Sequence, residues 1–292
     1  MIPQVSIIIP TYNNAAYIQD SLNSVLKQRY QEYEIIIIDD GSTDNTKELL
    51  EPYLRNKRIY YFYQENKGLP GARNAAIRLA KGEYILCLDA DDELAPDAIQ
   101  KYVESAKNHN AQWVISDIYR VENNASEIQK AILPSKDPLM DILSQKAYFR
   151  SCFYTKKILQ NVEMYDETQK YYEDWELYIR LIEAKAIFSY VDQPLYIYKV
   201  RKNSITKQSK LMMNFLYIEQ IYIKHHKRLV ADAGMGMRNL YAQLMWRLAS
   251  NYLFKAGSFT GMLRCFKEST KYDSSIFKEY ISKRFANRPK VI

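Results

Sequence analysis

In the first part of the chain, short, continuous runs of apolar residues alternate with stretches in which the apolar residues are spaced as in a helix. Runs of this kind are typical of strands that are buried on both faces of a parallel sheet. The stretches between them place apolar residues three and four positions apart, as on the inner face of a helix. The alternation predicts a doubly wound, mainly parallel α/β sheet. The predicted strands are Val5–Ile9, Tyr33–Ile38, Arg58–Tyr63, Tyr84–Leu88 and Gln112–Ser116.

Polar and proline residues mark the expected starts of the helices between these strands. An Asn or Asp side chain at a helix start can accept a hydrogen bond from an unpaired backbone N–H. A proline in the first turn gives up no intrahelical bond. The first two helices are expected to end near Gln28 and Leu54. The expected starting residues are Asn13 or Asn14, Asp44, Pro70 and Pro96.

The alternation becomes irregular after the fifth predicted strand. The segment Asn123–Pro138 is rich in Asn, Ser, Lys and Pro and is expected to be a loop. We expect a further helix at Glu173–Ala184, followed by strands at Ile187–Val191 and Leu195–Val200. The spacing of apolar residues is helical throughout residues 207–292, which predicts a C-terminal helical appendage.

Charge is distributed unevenly along the chain. Residues 207–292 carry 16 Lys and Arg against 5 Asp and Glu, whereas residues 1–206 are net acidic. One interpretation of this basic appendage is a solvated helical face that packs on the rest of the protein. A second is peripheral contact with an anionic membrane surface. No nucleic-acid-binding motif is present, so we expect no nucleic-acid partner.

The cysteines bear on the cellular compartment. Cys87, Cys152 and Cys265 are odd in number, lie far apart and share no metal-ligand spacing. This pattern argues against a disulfide framework or a zinc site. The sequence also shows no secretory leader and no run of about 18 apolar residues. We therefore expect a cytoplasmic protein without a membrane span.

Polar motifs follow the first two predicted strands. Pro10–Asn14 comes directly after the first strand, and Asp39–Asp44 comes at the end of the second. Both motifs should therefore lie at the carboxyl edge of the sheet, where ligands of open α/β sheets bind. A carboxylate there can accept a hydrogen bond from the N–H of a nucleobase, and the ring of Tyr12 can stack on that base. The Asp-Gly-Ser-Thr run equally suits a turn followed by a helix cap.

Three carboxylates follow the fourth predicted strand, at Asp89, Asp91 and Asp92. Crowded carboxylates raise one another's pKa unless a cation neutralises them. Oxygen ligands without a nearby His or Cys favour Mg²⁺ or Mn²⁺, which are commonly held by one or two carboxylates together with substrate phosphates. A solvated turn before Pro96 is the alternative explanation for this cluster.

Two further segments carry candidate chemistry. Arg73 stands at a predicted helix start, where it can pair with a phosphate or with an aspartate. Glu173 and Asp174 open a predicted helix, and a carboxylate near an acceptor hydroxyl can remove its proton. The same pair also suits a helix start for a simpler reason, because negative charge there favours the helix dipole.

Taken together, these segments resemble glycosyltransferases of family 2, which have the GT-A fold. The resemblance covers roughly residues 4–206 and leaves out the basic appendage. It implies a catalytic domain at residues 1–206, with a nucleotide-sugar half at about 1–118 and an acceptor half at about 119–206. The segments that carry it are Val5–Asn13, Ile38–Asp44, Asn66–Leu69, Ala72–Asn74, Gly82–Tyr84, Leu88–Asp92, Glu173–Leu177 and Tyr196–Thr206.

The resemblance also implies roles for individual residues. Asp91 would bind Mn²⁺ or Mg²⁺ bridging a nucleotide diphosphate, and Asp174 would be the general base for direct displacement with inversion. Asp89 would approach the ribose or the metal. The residues implied to contact the nucleotide are Thr11, Tyr12, Asp40, Arg73 and Asp89.

By resemblance, the donor is a nucleotide diphosphate sugar, with a uridine nucleotide expected. The acceptor is expected to be a glycan or lipid-linked glycan in bacterial surface polysaccharide synthesis. Arg201 stands where related sequences often have a His. The chain lacks the Gln-x-x-Arg-Trp motif of processive synthases, so transfer of a single sugar is expected. The competing interpretations are a sugar nucleotidyltransferase and a non-catalytic protein that binds sugar nucleotides.

Overall fold

The computed structural model describes residues 3–272, except for 124, 136, 144–146, 148, 202–210 and 232–234. Two compact units divide the chain, Met1–Ser204 and Ile205–Ile292. The first contains a mixed β-sheet with helices, and the second is helical where it is described. None of the helices in the described ranges has the length and apolar character required to cross a membrane.

Four strands form the first half of the sheet: β1 (Val5–Thr11), β2 (Tyr33–Asp39), β3 (Ile59–Tyr63) and β4 (Tyr84–Cys87). They lie in the order β3-β2-β1-β4, and each adjacent pair is parallel. Every residue of β1, β2 and β4 is buried, as the apolar runs predict. The prediction of burial on both faces is wrong for β3. This strand lies at the sheet edge, and only its first residue is buried.

The second half of the sheet mixes parallel and antiparallel neighbours. The order continues from β4 as β8-β6-β9-β5, and β7 pairs with β6 at the side. β8 runs antiparallel to both β4 and β6, whereas β6 and β9 are parallel. The sheet is therefore parallel in its first half and mixed beyond β4. The strands are β5 (Glu93–Leu94), β6 (Trp113–Glu122), β7 (Ala125–Gln129), β8 (Arg150–Thr155) and β9 (Phe188–Lys199).

The antiparallel direction of β8 brings its first residue to the functional edge of the sheet. Since Leu86 of β4 pairs with Phe153 of β8, Arg150 lies beyond the carboxyl end of β4. Ser116 of β6 pairs with Arg150, so the rest of β6 continues past this edge. The projecting part of β6 pairs with β7 on one side and with β9 on the other. These strands form a wall beside the carboxyl ends of the parallel strands.

The helices of the first unit largely follow the predicted spacing. Pro70 lies in the first turn of its helix, as predicted, whereas Pro96 precedes its helix. The helix predicted to end near Leu54 consists of a short α-helix continued by a 3-10 helix, Glu51–Arg55. The helices are α1 (Ile18–Leu26), α2 (Thr46–Leu50), α3 (Gly68–Leu79), α4 (Ala98–Asn108), α5 (Pro138–Leu143), α6 (Lys156–Asn161) and α7 (Glu173–Glu183).

The predicted start of the first helix is wrong. α1 begins at Ile18 rather than after Asn13 or Asn14. Asn13 has a positive φ of 53°, in the left-handed region, and its side chain bonds to the loop after β2. A side chain held in this way cannot cap α1, which explains the later start.

Two predictions for the second half of the sheet are corrected. The predicted loop Asn123–Pro138 contains strand β7, which forms a hairpin with β6. The two strands predicted between residues 187 and 200 are one strand, β9. Its pairing with β6 is irregular around Asp117, which lies opposite Pro194. Proline has no N–H to donate to the ladder, so an irregularity at this point is expected.

The second unit consists of α8 (Leu211–Ala231), α9 (Met235–Phe254) and α10 (Phe259–Tyr272). Its interior contains Glu219, whose carboxylate accepts hydrogen bonds from Tyr252 and Arg264. The predicted helical appendage is confirmed over the described part of residues 207–292. Residues 207–210, 232–234 and 273–292 of that prediction lie outside the described residues.

Candidate active site

The polar loops that follow β1 and β2 are bonded to each other. Asn13 Oδ1 accepts hydrogen bonds from the backbone N–H groups of Thr43, at 2.8 Å, and Asp44, at 3.3 Å. Asp44 in turn accepts from the backbone N–H of Ala15, at 3.1 Å. The first two sequence motifs therefore form one bonded edge rather than two independent turns.

Asp40 holds the start of α3 against this edge. Its carboxylate accepts from the backbone N–H groups of Lys67, at 2.9 Å, and Gly68, at 2.8 Å. It is buried, as is Thr11 beside it, and the Thr11 hydroxyl has no hydrogen-bond partner in the described part of the chain. Tyr12 is 49% exposed. The three residues predicted to contact the base thus lie together, with an unpaired hydroxyl and an exposed ring.

Arg73 joins three carboxylates from distant parts of the sequence. Its Nη2 lies 2.8 Å from Asp89 Oδ1, and its Nη1 lies 3.0 Å from Glu173 Oε1 and 2.9 Å from Asp174 Oδ1. The Arg73 side chain is 4% exposed, and its guanidinium lies over the ring of Tyr165. A buried cation with several carboxylate partners has a fixed position, so Arg73 sets the separation between the end of β4 and the start of α7.

Burial dominates the electrostatics of the carboxylates around Arg73. It raises the pKa of Glu173 to about 7, with a further contribution from the neighbouring Asp174. Burial also raises the pKa of Asp174, against the opposing effect of Arg73. The Asp174 side chain is 38% exposed and that of Glu173 is 12% exposed. Asp174 is therefore the more accessible of the two carboxylates.

Asp91 and Asp92, in the acidic motif after β4, have different hydrogen-bond partners. Asp92 is buried and accepts from the Tyr196 hydroxyl, at 2.9 Å, and from the Lys199 backbone N–H, at 2.8 Å. These bonds tie the motif to β9. The Asp91 carboxylate accepts from its own backbone N–H, which lowers its pKa against the effect of burial. Asp92 therefore has a structural role, whereas Asp91 is the better candidate for contact with a ligand.

Asp91 fits the coordination of a divalent cation. Burial raises the pKa of Asp91, and the nearby charge of Asp89 raises it further. A bound cation would relieve both effects. The described residues include no group of three or more His, Cys, Asp or Glu side chains arranged to hold a metal. A metal at Asp91 therefore fits with substrate oxygens and waters completing its coordination, which is usual for Mg²⁺.

Arg201 lies against the same acidic motif. Its Nη2 donates to the Asp91 carbonyl at 3.2 Å, and its guanidinium stacks on the Tyr17 ring, with Cζ 4.1 Å from the ring centroid. Its Nε is buried without a partner in the described structure. The guanidinium is held on one face and has an unused donor, so it can bind an anion beside Asp91.

A cavity opens at the centre of these residues. Asp174 lines it, whereas Glu173 does not. Burial raises the pKa of Cys87 to about 12, so its thiol stays protonated and is a poor nucleophile. The lining residues are Arg73, Cys87, Asp89, Arg150, Tyr165, Asp174, Tyr178 and Tyr196.

The structure thus brings Asp89, from the end of β4, together with Glu173 and Asp174, from the start of α7, around Arg73. It also adds Arg150 and Tyr17, which sequence reasoning missed. Arg150 lies over the ring of Tyr198, with Cζ 3.8 Å from the ring centroid. Its positive charge opposes the rise in the pKa of Asp91 that burial and Asp89 cause. Arg150 lies in an irregular stretch and Tyr17 is one of 26 tyrosines, so neither stood out as a motif.

Comparison with known proteins identifies the family. The sequence model of glycosyl transferase family 2 matches residues 6–171, which is more than half of the chain. The chain belongs to glycosyltransferase family 2. This confirms the resemblance of the motifs, and it explains why they occur in this order at the carboxyl edge of the sheet.

Among curated family members, the chain is 29% identical over 220 residues to the uncharacterized glycosyltransferase EpsJ of Bacillus subtilis. That match covers 71% of this chain and 64% of EpsJ. The chain is 43% identical over 132 residues to TuaG of Bacillus subtilis, a putative teichuronic acid biosynthesis glycosyltransferase, covering 44% of this chain and 52% of TuaG. The chain therefore spans less than two thirds of either relative.

Solved structures confirm the GT-A fold of the family. TarS of S. aureus, in complex with UDP-GlcNAc, matches with a TM-score of 0.66 and 23% identity, over 86% of this chain and 73% of that one. The mannosyltransferase PcManGT of Pyrobaculum calidifontis, in complex with GDP-Man and Mn²⁺, matches with a TM-score of 0.58 and 16% identity. The match covers 92% of this chain and 86% of PcManGT. At these identities the similarity concerns the fold alone.

Proposed function

We propose that the protein transfers a single sugar from a nucleotide diphosphate sugar to a hydroxyl of a glycan or lipid-linked glycan, with inversion at the anomeric carbon. Residues 1–206 form the catalytic domain in this proposal. Membership of family 2 supports glycosyl transfer. The observation that carries the proposal is that Arg73 joins Asp89, on the donor side, to Asp174, an accessible carboxylate in the same cavity.

The donor nucleotide is assigned to the bonded edge after β1 and β2. Tyr12 offers an exposed ring for stacking on the base, and Thr11 offers an unpaired hydroxyl. Asp40 fixes the start of α3 next to them and can accept from the base N–H. A uridine nucleotide is the proposed donor, because TarS binds UDP-GlcNAc with a related fold.

Asp91 is the proposed ligand of a divalent cation, Mn²⁺ or Mg²⁺. When bound, such a cation stabilises the charge that develops on the departing nucleotide diphosphate. The pKa of the Asp91 carboxyl, raised first by burial and then by the charge of Asp89, supports this assignment because a cation would relieve both effects, and so does the Mn²⁺ present in PcManGT. Arg201 supplies a fixed positive charge beside Asp91, and its free Nε can donate to a phosphate oxygen.

Asp174 is the proposed general base. It lines the cavity, and its raised pKa suits the removal of a proton from an acceptor hydroxyl as that oxygen attacks the anomeric carbon. Glu173 shares Arg73 with it but is more buried and does not line the cavity. We assign Glu173 to positioning Arg73.

The acceptor is proposed to enter along the wall formed by β6, β7 and the end of β9. These strands project past the sheet edge at which the proposed donor residues lie. In the order of the sheet, they are on one side of β4, and β1 and β2 are on the other. A role in bacterial surface polysaccharide synthesis, in the cytoplasm at the inner face of the membrane, is supported by the teichuronic acid pathway named for TuaG.

Calorimetric titration of UDP, GDP, CDP and dTDP, with and without Mn²⁺, tests the donor site. We expect metal-dependent binding of one nucleotide, its loss in Asp91→Asn and its retention in Asp174→Asn. Asp174→Asn should instead lower sugar transfer by about 10²-fold to 10⁴-fold. If no nucleotide binds in a metal-dependent way to the wild-type protein, the proposal is wrong.

The stereochemistry of the product tests the mechanism separately. Direct displacement with Asp174 as base predicts a product whose anomeric configuration is opposite to that of the donor. Nuclear magnetic resonance of the first product formed from an α-linked donor sugar measures this. Retention of configuration would exclude the single displacement while leaving the donor site intact.

A further inference from the structure

The turn between α9 and α10 exposes a cluster of large apolar side chains. Phe254 and Phe259 flank the turn and are 59% and 60% exposed. Leu253 and Leu263, next to them on the two helices, are 37% and 47% exposed. Among the described residues of the second unit, the exposed large apolar side chains are these four and Ile223 of α8, so a concentration of four at a single turn calls for a cause.

The turn is held in one conformation by its own bonds. Gly257 has a positive φ of 64°, which lets the chain reverse after α9. The Ser258 hydroxyl accepts from the Gly261 backbone N–H at 3.2 Å at the start of α10, and the Ser258 backbone N–H donates to the Tyr252 carbonyl at 2.8 Å. The apolar side chains therefore project from a fixed helical hairpin.

The solvent face of α10 changes from apolar to basic with distance from the turn. Phe259, Leu263 and Lys267 follow one another at a spacing of four residues and so lie close to one face of the helix. Phe259 and Leu263 are apolar and exposed, and Lys267 is exposed and carries positive charge. Lys267 stands eight residues beyond Phe259, which places it about 12 Å along the helix axis.

This arrangement matches the layers of a lipid surface. An apolar segment enters the boundary between headgroups and acyl chains by about 5–10 Å, and lysines above it meet anionic headgroups. Lys255, in the turn itself, is exposed and can extend its charge outward along its flexible stem. The positive balance of residues 207–292, 16 Lys and Arg against 5 Asp and Glu, has the sign that this surface requires.

We infer that the hairpin tip formed by Leu253, Phe254, Phe259 and Leu263 inserts into an anionic membrane surface, with Lys267 above it at the level of the headgroups. The inference concerns the second unit and does not depend on the donor site or on the proposed reaction. Membrane binding by electrostatic attraction alone would need the lysines but not the phenylalanines. Substitution of the phenylalanines therefore tests whether the tip inserts.

Co-sedimentation with vesicles of phosphatidylcholine, with and without phosphatidylglycerol, tests the inference. The full chain is expected to bind only the anionic vesicles. The double variant Phe254→Ser/Phe259→Ser should lower the partition coefficient by more than about tenfold. The matched control, Leu79→Ser/Ile187→Ser, removes side chains that are 42% and 49% exposed in the first unit and should leave vesicle binding unchanged.

Insertion is measured directly with Phe259→Trp and brominated phosphatidylcholine in the anionic vesicles. Quenching beyond that of the wild-type protein is expected. Unchanged binding of the double Ser variant would show attraction by basic residues alone and overturn the inference. So would a dimer, seen by light scattering and dissociated by Phe259→Ser, without vesicle binding. Helical circular dichroism and the thermal unfolding of the same variants show whether they are folded, and calorimetric binding of nucleotide tests the donor site independently.

Discussion

Arg73 and Asp174 are 101 positions apart in the sequence, and their side chains meet at 2.9 Å. One belongs to the helix after β3, and the other belongs to the first turn of α7. Asp89 binds the other terminal nitrogen of the same guanidinium. A single buried cation therefore fixes the distance between the end of a central strand and the proposed base.

Replacement of Arg73 by Met is predicted to destabilise the protein. The substitution keeps much of the side-chain volume but leaves three carboxylates without their shared partner. Loss of one member of a buried ionic cluster costs about 3–5 kcal/mol. Thermal unfolding should show a lower midpoint. Arg73→Lys keeps the charge but cannot bond to all three partners in the same way. Its unfolding midpoint should lie between that of Arg73→Met and that of the wild type. An unchanged midpoint in Arg73→Met would contradict the bridging role.

The rate of sugar transfer is predicted to depend on pH through Asp174. Burial raises the pKa of this carboxyl, and a base acts only when deprotonated. Activity should therefore be present above the raised pKa and be lost as the pH falls through it, at a higher pH than an ordinary aspartate would give. The rate profile of kcat against pH measures this inflection.

Glu173→Gln provides the matched comparison for the pH profile. It replaces a carboxyl whose pKa burial raises to about 7 by a neutral amide of nearly the same volume, so an acid inflection that belongs to Asp174 should persist. Nucleotide binding should be retained. If Glu173→Gln abolishes transfer while Asp174→Asn does not, the two carboxylates have been assigned the wrong way round.

Tyr17 is predicted to position Arg201 for the diphosphate. Its ring supports the guanidinium at 4.1 Å, and its hydroxyl is not needed for that contact. Tyr17→Leu should weaken nucleoside diphosphate binding by about threefold to thirtyfold, as expected for loss of a cation–π contact of about 0.5–2 kcal/mol. Tyr17→Phe should bind like the wild type. Calorimetry with the diphosphate and with the corresponding nucleoside separates the effect on phosphate from any effect on the base.

Gly82 is predicted to tolerate no side chain. A Cβ at this position would lie 2.6 Å from the backbone nitrogen of Ser6 in β1, which has no room to move within the sheet. Gly82→Ala should cost about 1–3 kcal/mol of unfolding free energy, the usual range for overpacking. Lys57→Ala, on an exposed turn, should change it by less than about 0.5 kcal/mol. Chemical denaturation of both variants provides the comparison.

The sequence was most informative where hydrophobic runs end in polar motifs. β1, β2 and β4 are buried throughout, so their periodicity was clear, and the polar residues that follow them necessarily share the carboxyl edge. This reasoning led to the edge residues of the site. It could not show that Asp40 holds α3 or that Asp92, rather than Asp91, is bonded to β9, because hydrogen-bond partners depend on loop geometry.

Other features carried no local signal. β7 is exposed on both faces, with only its last residue partly covered, so it had no alternation to distinguish it from a loop. Arg150 belongs to the site because β8 runs antiparallel to β4, and strand direction is a property of the whole sheet. The bonds of Asn13 to the β2 loop likewise overrode its local tendency to cap a helix.

The projection of β6 and β9 past the edge of the sheet has an evolutionary consequence. The wall they form is carried by residues outside the buried strand ends that hold the donor motifs, so its side chains can vary without disturbing the packing of β1, β2 and β4. Under the proposed function, new acceptor preferences can thus arise by substitution or insertion in one hairpin while the proposed donor site is inherited unchanged. The same separation makes the β6–β7 hairpin the natural segment to exchange between relatives when a different product is wanted.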